Sequence, residues 1–265
     1  MRLTIRHETR YQFETPVKHG LQQLRKTPKS SYQQTVLSWR TDITGGQREL
    51  SYEDHHNNTV ELISFARDVQ DVTLVSEGEV DLSDNHGIVG RHHGVAPLWL
   101  FQQSTPRTEP GQGVKAILDG TPKLDPLDQL HALAGVIRDT VAFEVGASHP
   151  DWGAEEALAA GKGVCQDHTH IFLSCARALG HPARYVSGYL MLNDRTAQEA
   201  MHAWAEAHVE GLGWVGFDVS NGISPDTRYV RVATGLDYAE AAPVSGTRVG
   251  GMGETLSVAI DVVQQ

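Results

Sequence analysis

Cysteine is almost missing from this chain: its 265 residues include two, Cys165 and Cys175. Two thiols cannot make a four-thiolate zinc site. If one helix carries both, ten residues at a rise of ~1.5 Å separate them by about 15 Å. A disulfide needs Cα atoms within roughly 7 Å, so no disulfide framework is expected. A reducing compartment, the cytoplasm, is the expected location. Basic charge is also scarce. Lys and Arg number 22 against 33 Asp and Glu, a formal charge of −11, and the basic residues form no run. Such a chain repels phosphate backbones, so neither nucleic acid nor an anionic membrane surface is an expected partner. No segment approaches the roughly 18 apolar residues of a spanning helix. The start, Met1-Arg2-Leu3-Thr4-Ile5-Arg6-His7-Glu8, alternates apolar and polar residues without an apolar block, so no signal peptide is expected.

What remains is ordinary globular composition, 40% hydrophobic and 21% charged, which argues against disorder, collagen or a coiled coil. The first hundred residues read as β structure. Leu3, Ile5, His7, Thr9, Tyr11 and Phe13 share one parity, as strand alternation requires, and Pro16 is expected to end that strand. Further strands are expected over 34–42, 59–66 and 71–82, separated by turn signals at Thr44-Gly45-Gly46 and His55-His56-Asn57-Asn58. A stretch rich in Gly, Pro, His and Gln follows, with a short helix expected near Leu98–Gln103.

The pattern then turns helical. Asp125-Pro126 offers a capping oxygen before Pro at the first helical position, and Leu127, Leu130, Ala134, Ile137 and Val141 follow at helical spacing. A second helix is expected from Gly153 to Ala160, stopped by Gly161. A third is expected from Gly163 to Gly180, with Ile171, Phe172, Cys175, Ala178 and Leu179 as its buried stripe. Strands are expected again over 184–192, 201–209 and 214–219, the last two joined by the short loop Glu210-Gly211-Leu212-Gly213, and over 255–263. The organisation is α+β: an N-terminal β domain over 1–100, a linker over 101–124, a mixed core over 125–240 and a C-terminal β segment over 241–265.

Three residues stand out for chemistry. Cys165 lies in the first turn of the third helix, where unpaired N–H groups and the positive dipole end favour thiolate and can stabilise an oxyanion. His202 opens a strand. Asp218 ends the strand that folds back onto it, so a hairpin centred near Gly211 or Leu212 brings the two within a few residues of opposite each other. A thiol, a base and an orienting carboxylate are the parts of nucleophilic acyl transfer.

At these residues the sequence becomes familiar. Gly163-Val164-Cys165-Gln166-Asp167-His168-Thr169-His170, the run from Ala176 to Tyr189, His202-Ala203-Trp204-Ala205-Glu206 and Gly213-Trp214-Val215-Gly216-Phe217-Asp218 resemble bacterial transglutaminase-like proteins. Leu24-Arg25-Lys26-Thr27-Pro28 and Asp54-His55-His56-Asn57-Asn58 resemble the N-terminal β domain that accompanies that family, and the run from Val230 to Tyr238 its C-terminal segment. The resemblance implies a papain-like core with Cys165 as nucleophile, His202 as general base and acid, and Asp218 as orienter. The reaction it implies is attack on a peptide or glutamine-type amide, a thioester, and release to water or to an amine, with hydrolysis favoured over cross-linking. It implies no cofactor. Four positions depart from the family pattern: His168 stands where an apolar residue is common, Val219-Ser220 replaces a more usual Pro-Thr, and Glu240 replaces an Asp.

Around the triad, the backbone N–H of Cys165 is the first oxyanion candidate, with Gln166 and Trp152 as side-chain donors. His168, three residues past Cys165 on the same helix face, either modulates the thiol and lines the cleft or simply packs. Trp204 is expected to pack beside the imidazole. Tyr185 and Tyr189 share a strand face and suit either a substrate groove or the core. Metal catalysis is disfavoured. Adjacent pairs such as His55-His56 and His92-His93 point apart on a strand, and no His-Glu-x-x-His run occurs. A non-catalytic binding or scaffold protein on the same fold is the rival from another class. Oligomeric state is left open.

Overall fold

The computed structural model describes residues 1–265. In chain order its first strands are β1 (Arg2–Thr27), β2 (Gln34–Thr44), β3 (Gly46–Glu53), β4 (Thr59–Phe65), β5 (Val69–Leu82) and β6 (Ile88–Gly90). A 3-10 turn over Leu98–Gln102 precedes α1 (Gln112–Gly120), α2 (Pro126–Thr140), β7 (Ala142–Phe143), α3 (Ala154–Ala160), β8 (Lys162–Gly163) and α4 (Cys165–Ala178). The remainder is β9 (Ala183–Leu190), β10 (Ala197–Gln198), β11 (His202–Val209), β12 (Gly213–Phe217), β13 (Tyr229–Gly235), α5 (Tyr238–Ala241), β14 (Val244–Gly250) and β15 (Glu254–Gln264). No helix is long and apolar enough to cross a membrane.

The alternation in β1 does what period two requires. Leu3, Ile5, His7, Thr9, Tyr11 and Phe13 are all buried, and the residues between them reach the surface to varying degrees. Pro16 does not end this strand, contrary to expectation. Before it, β1 runs between β5 and β15; after it, between β14 and β4, so the partners change where the register breaks. Proline has no N–H to give a ladder, and a break in pairing is where that costs least. One strand thereby belongs to both halves of a curled antiparallel sheet. The C-terminal segment closes that sheet: β14 and β15 both pair with β1.

Among the other elements that escaped the sequence pattern, two show why. β3 is exposed along almost its whole length and pairs only with β4, so neither of its faces shows a hydrophobic period. Helix α1 falls inside the segment read as a linker, and it has no local cap. Its first amides are satisfied from a distance, by the Glu155 carboxylate of α3, which accepts from Gly111, Gly113 and Val114 at 2.9 Å each. Asp125 does precede α2, but its side chain makes no capping bond.

The second sheet is antiparallel in the order β13-β9-β11-β12-β6. Ala203, Ala205 and Ala207 on β11 are small, and α4 packs against that strand. Helices α1, α2 and α3 pack on α4 from other sides. As a result α4 is buried from Asp167 to Arg177, all round rather than along one stripe. Ala178, expected in the stripe, is exposed because the helix emerges there. Arg177, buried in this packing, donates to the carbonyls of Phe101, Ala183 and Leu236 and to the Thr108 hydroxyl. The layers match the expected α+β class.

The two sheets meet over Leu3, Ile5, Val80 and Leu82 on one side and Tyr189, Val230 and Val232 on the other. Tyr189 is core here, and Tyr185 packs under α4, so neither lines a groove. A polar chain runs through the seam. The Tyr189 hydroxyl bonds His7 at 3.0 Å, His7 bonds Thr9 at 3.2 Å, and the Lys26 ammonium donates to Thr9 at 2.5 Å. Lys26 is fully buried without a carboxylate, and burial lowers it to about 7. The sign follows by linkage. Its folded value lies below the unfolded value of about 10.4, so between the two the unfolded chain binds more protons. The burden of the buried cation is fully present below about 7 and is relieved as pH rises toward ~10. Lys26→Met is therefore expected to raise stability at pH ~7, and the gain should shrink toward pH ~10. Urea unfolding of both proteins at the two pH values measures this. A difference independent of pH would contradict it.

Candidate active site

Cys165 is the first residue of α4, and the turns before it place it there. Gly161 ends α3 in the left-handed region at φ 64°, which glycine adopts without penalty. Gly163 passes so close to Asp167 that a Cβ would lie 2.6 Å from its carboxylate. Asp167 is itself buried. It accepts from the Val164 N–H at 2.7 Å and from the Ser148 hydroxyl at 3.0 Å, which locks the helix start. Asp167 is thus more than a charge complementing the helix dipole. The amides at the head of the helix, that of Cys165 included, have no carbonyl one turn back.

His202 opens β11 opposite Gly188 of β9. The β11–β12 register pairs Ala205 with Phe217, so Asp218 falls one step beyond β12, diagonal to His202. Its backbone bridges to Ile223. The His202 Nε2 and Asp218 Oδ2 atoms lie 2.6 Å apart. The Cys165 sulfur lies near enough to the same imidazole to act on its charge. Burial disfavours the imidazolium, but the Cys165 sulfur and the Asp218 carboxylate outweigh it and hold His202 well above the ordinary histidine range.

Two residues with no motif complete the carboxylate's surroundings. Tyr229 on β13 donates its hydroxyl to Asp218 Oδ2 at 2.8 Å, and the Asn221 side-chain amide donates to the same oxygen at 2.7 Å. The Asn221 backbone N–H takes Oδ1 at 3.1 Å. Burial would raise this carboxyl; its bonds to His202, Asn221 and Tyr229 keep it below the usual range. Asn221 is legible in sequence only as part of a turn with Gly222. Tyr229 lies eleven residues from Asp218 with nothing between them to announce it.

Trp204 lies beside the imidazole as expected, with ring centroids 6.2 Å apart and near-parallel planes. Gly188 makes room for it: a Cβ there would sit 2.5 Å from the indole. His168 does not line a cleft. It is buried, with Nδ1 bonded to the Ser220 hydroxyl at 2.8 Å and Nε2 to the Val141 carbonyl at 2.9 Å. Burial lowers its pKa, against the opposing pull of the Val141 carbonyl, Asp167 and Asp218. Gln166, next to Cys165, is half-buried and makes no side-chain hydrogen bond within the chain; Trp152 is half-buried in the turn before α3.

Residues 115–219 match the family model described as "Transglutaminase-like superfamily", and residues 3–81 match the "Bacterial transglutaminase-like N-terminal region". An uncharacterized protein of Mycobacterium leprae is 27% identical over 277 residues, covering 99% of both chains. An uncharacterized protein of Mycobacterium bovis is 26% identical, covering 99% of this chain and 92% of that one. Among solved structures, one titled "a Putative Cysteine Protease" from Cytophaga hutchinsonii superposes with a TM-score of 0.78 at 21% identity, over 99% of this chain and 90% of that chain. At that identity the likeness speaks for the fold.

The two thiols should behave differently. Cys175 is fully buried and burial pushes it up to about 12. Cys165 is partly exposed beside the imidazole. Iodoacetamide below pH ~7 is expected to label Cys165 alone in the native protein, and His202→Ala should slow that labelling at least tenfold. Equal, slow labelling of both cysteines would contradict an activated thiol.

Proposed function

The chain belongs to the transglutaminase-like superfamily, and on that premise we propose that it is a cysteine-dependent hydrolase or acyltransferase acting on a peptide or glutamine-type amide, with hydrolysis as its main outcome. The observation that carries this reading is the 2.6 Å contact of His202 with Asp218, beside a cysteine that opens a buried helix.

The chemistry follows from these positions. With His202 protonated and Cys165 ionised, sulfur attacks the amide carbonyl and forms a tetrahedral oxyanion. The Cys165 N–H, unpaired within the helix, donates to that oxygen. Collapse breaks the C–N bond, and His202 gives its proton to the departing amine. The thioester that remains is cleaved when His202 takes a proton from water, or from a second amine, as it attacks. Asp218 keeps Nε2–H in place, so that Nδ1 always addresses the reacting atoms. Gln166, adjacent to the nucleophile, and Trp152 are the side chains proposed to add an oxyanion donor or a cleft wall.

A peptide mixture incubated with the protein, with and without putrescine, and read by mass spectrometry tests the reading. Cleaved or deamidated peptides absent with Cys165→Ala are expected; amine adducts on glutamine would show transfer instead. Identical spectra for wild type and variant would favour the non-catalytic scaffold. Asp218→Asn is expected to lower kcat/KM by about 10²–10⁴. It should also move the alkaline limb of the pH profile downward, because Asp218 helps hold the proton on His202. A loss of rate with an unmoved alkaline limb would contradict that role.

A further inference from the structure

The turn between β3 and β4 carries a second cluster that the proposed reaction does not use. His55 and His56 are neighbours, and on a strand their side chains would point apart. They lie in a turn instead, followed by Asn57 in the left-handed region at φ 64°. Their rings come together, with centroids 4.1 Å apart. Glu240 of α5 reaches the same point, with its Oε2 atom 2.7 Å from His56 Nε2. One donor atom from each of the three residues falls within 4.8 Å of the others.

We propose that His55, His56 and Glu240 bind a divalent transition-metal ion of the Zn²⁺ type, which fastens the β3–β4 turn to α5. Two imidazoles and one carboxylate are a donor set for Zn²⁺, Ni²⁺ or Cu²⁺ rather than for Ca²⁺ or Mg²⁺. Zinc bonds of ~2.0–2.2 Å put tetrahedral ligands roughly 3.3 Å apart. Side-chain movements are enough to reach that spacing, because the backbone around the cluster is already held. Asp54 Oδ1 accepts from the N–H groups of His56 at 3.0 Å and Asn58 at 2.9 Å. Asn58 pairs both ways with the backbone of Thr234, at 2.7 and 2.8 Å. Glu240 is oriented by the Leu236 N–H at 2.7 Å.

Two features separate this from a plain His–Glu hydrogen bond. A hydrogen bond between His56 and Glu240 needs no third partner, yet exposed His55 is laid against the His56 ring. The His56 side chain is 1% exposed, and its Nδ1 has no partner. The Glu240 carboxylate can only accept, so Nε2 donates to it; with Nδ1 unbonded, nothing on that side stops the ring proton from moving there when a metal takes Nε2.

The test is calorimetric titration of ZnCl₂ into the full chain carrying Cys165→Ala, which removes the one accessible cysteine from competition. One equivalent bound with micromolar affinity or tighter is expected. Adding His55→Ala should weaken it at least tenfold, and since that side chain is exposed and makes no hydrogen bond in the fold, the variant should fold. Adding Glu240→Ala should weaken it similarly. Co²⁺ loaded in place of Zn²⁺ should give a visible absorption that His55→Ala abolishes. No saturable binding up to about 1 mM, or binding untouched by His55→Ala, would overturn the proposal. Neither result bears on the thiol chemistry, whose residues take no part in this cluster.

Discussion

Helix α4 is buried from Asp167 to Arg177, and that burial fixes the position of the thiol at its head. A helix exposed on one face could rock about its packed side. This one is enclosed by three helices and a sheet, with the Arg177 guanidinium bonded to three carbonyls near its far end. At the near end, the Asp167 carboxylate closes the first turn from within. Cys165 is left as the half-open tip of a rigid element. In the proposed reaction the sulfur benefits from such placement, because orientation is settled before substrate arrives.

The second constraint is one buried carboxylate. Asp218 joins β11 through His202 and β13 through Tyr229, and it holds its own turn through Asn221. A buried charge is tolerated when hydrogen bonds and an opposite charge surround it. Here those same partners orient the imidazole. Structural satisfaction and chemical positioning are therefore one arrangement, and Tyr229 belongs to both.

Much of this could be read from the sequence, where local physics and outcome agree. Cys165 at a helix start follows from Gly161, Gly163 and the apolar run behind them. The approach of Asp218 to His202 follows from a short hairpin loop and the register it sets. The paired residues of β1 announce themselves by parity. What stayed hidden is non-local. Helix α1 is capped by Glu155 from another helix, and β3 is paired but buried on neither face. Tyr229 reaches Asp218 from a separate strand. Two departures from the family pattern also make sense only in space, each through a distant partner. His168 bonds Ser220, which stands in the altered Val219-Ser220 pair, and Glu240 bonds His56.

In the proposed reaction, Cys165 and Asp218 together keep His202 protonated. Nitrogen NMR of histidine-labelled protein, followed from pH ~6 to ~10, reads this directly. The account predicts that both His202 ring nitrogens stay protonated well above the ordinary histidine value of ~6.5. Cys165→Ala and Asp218→Asn should each bring the titration down. An imidazole already neutral at pH ~7 in the unaltered protein would contradict the account.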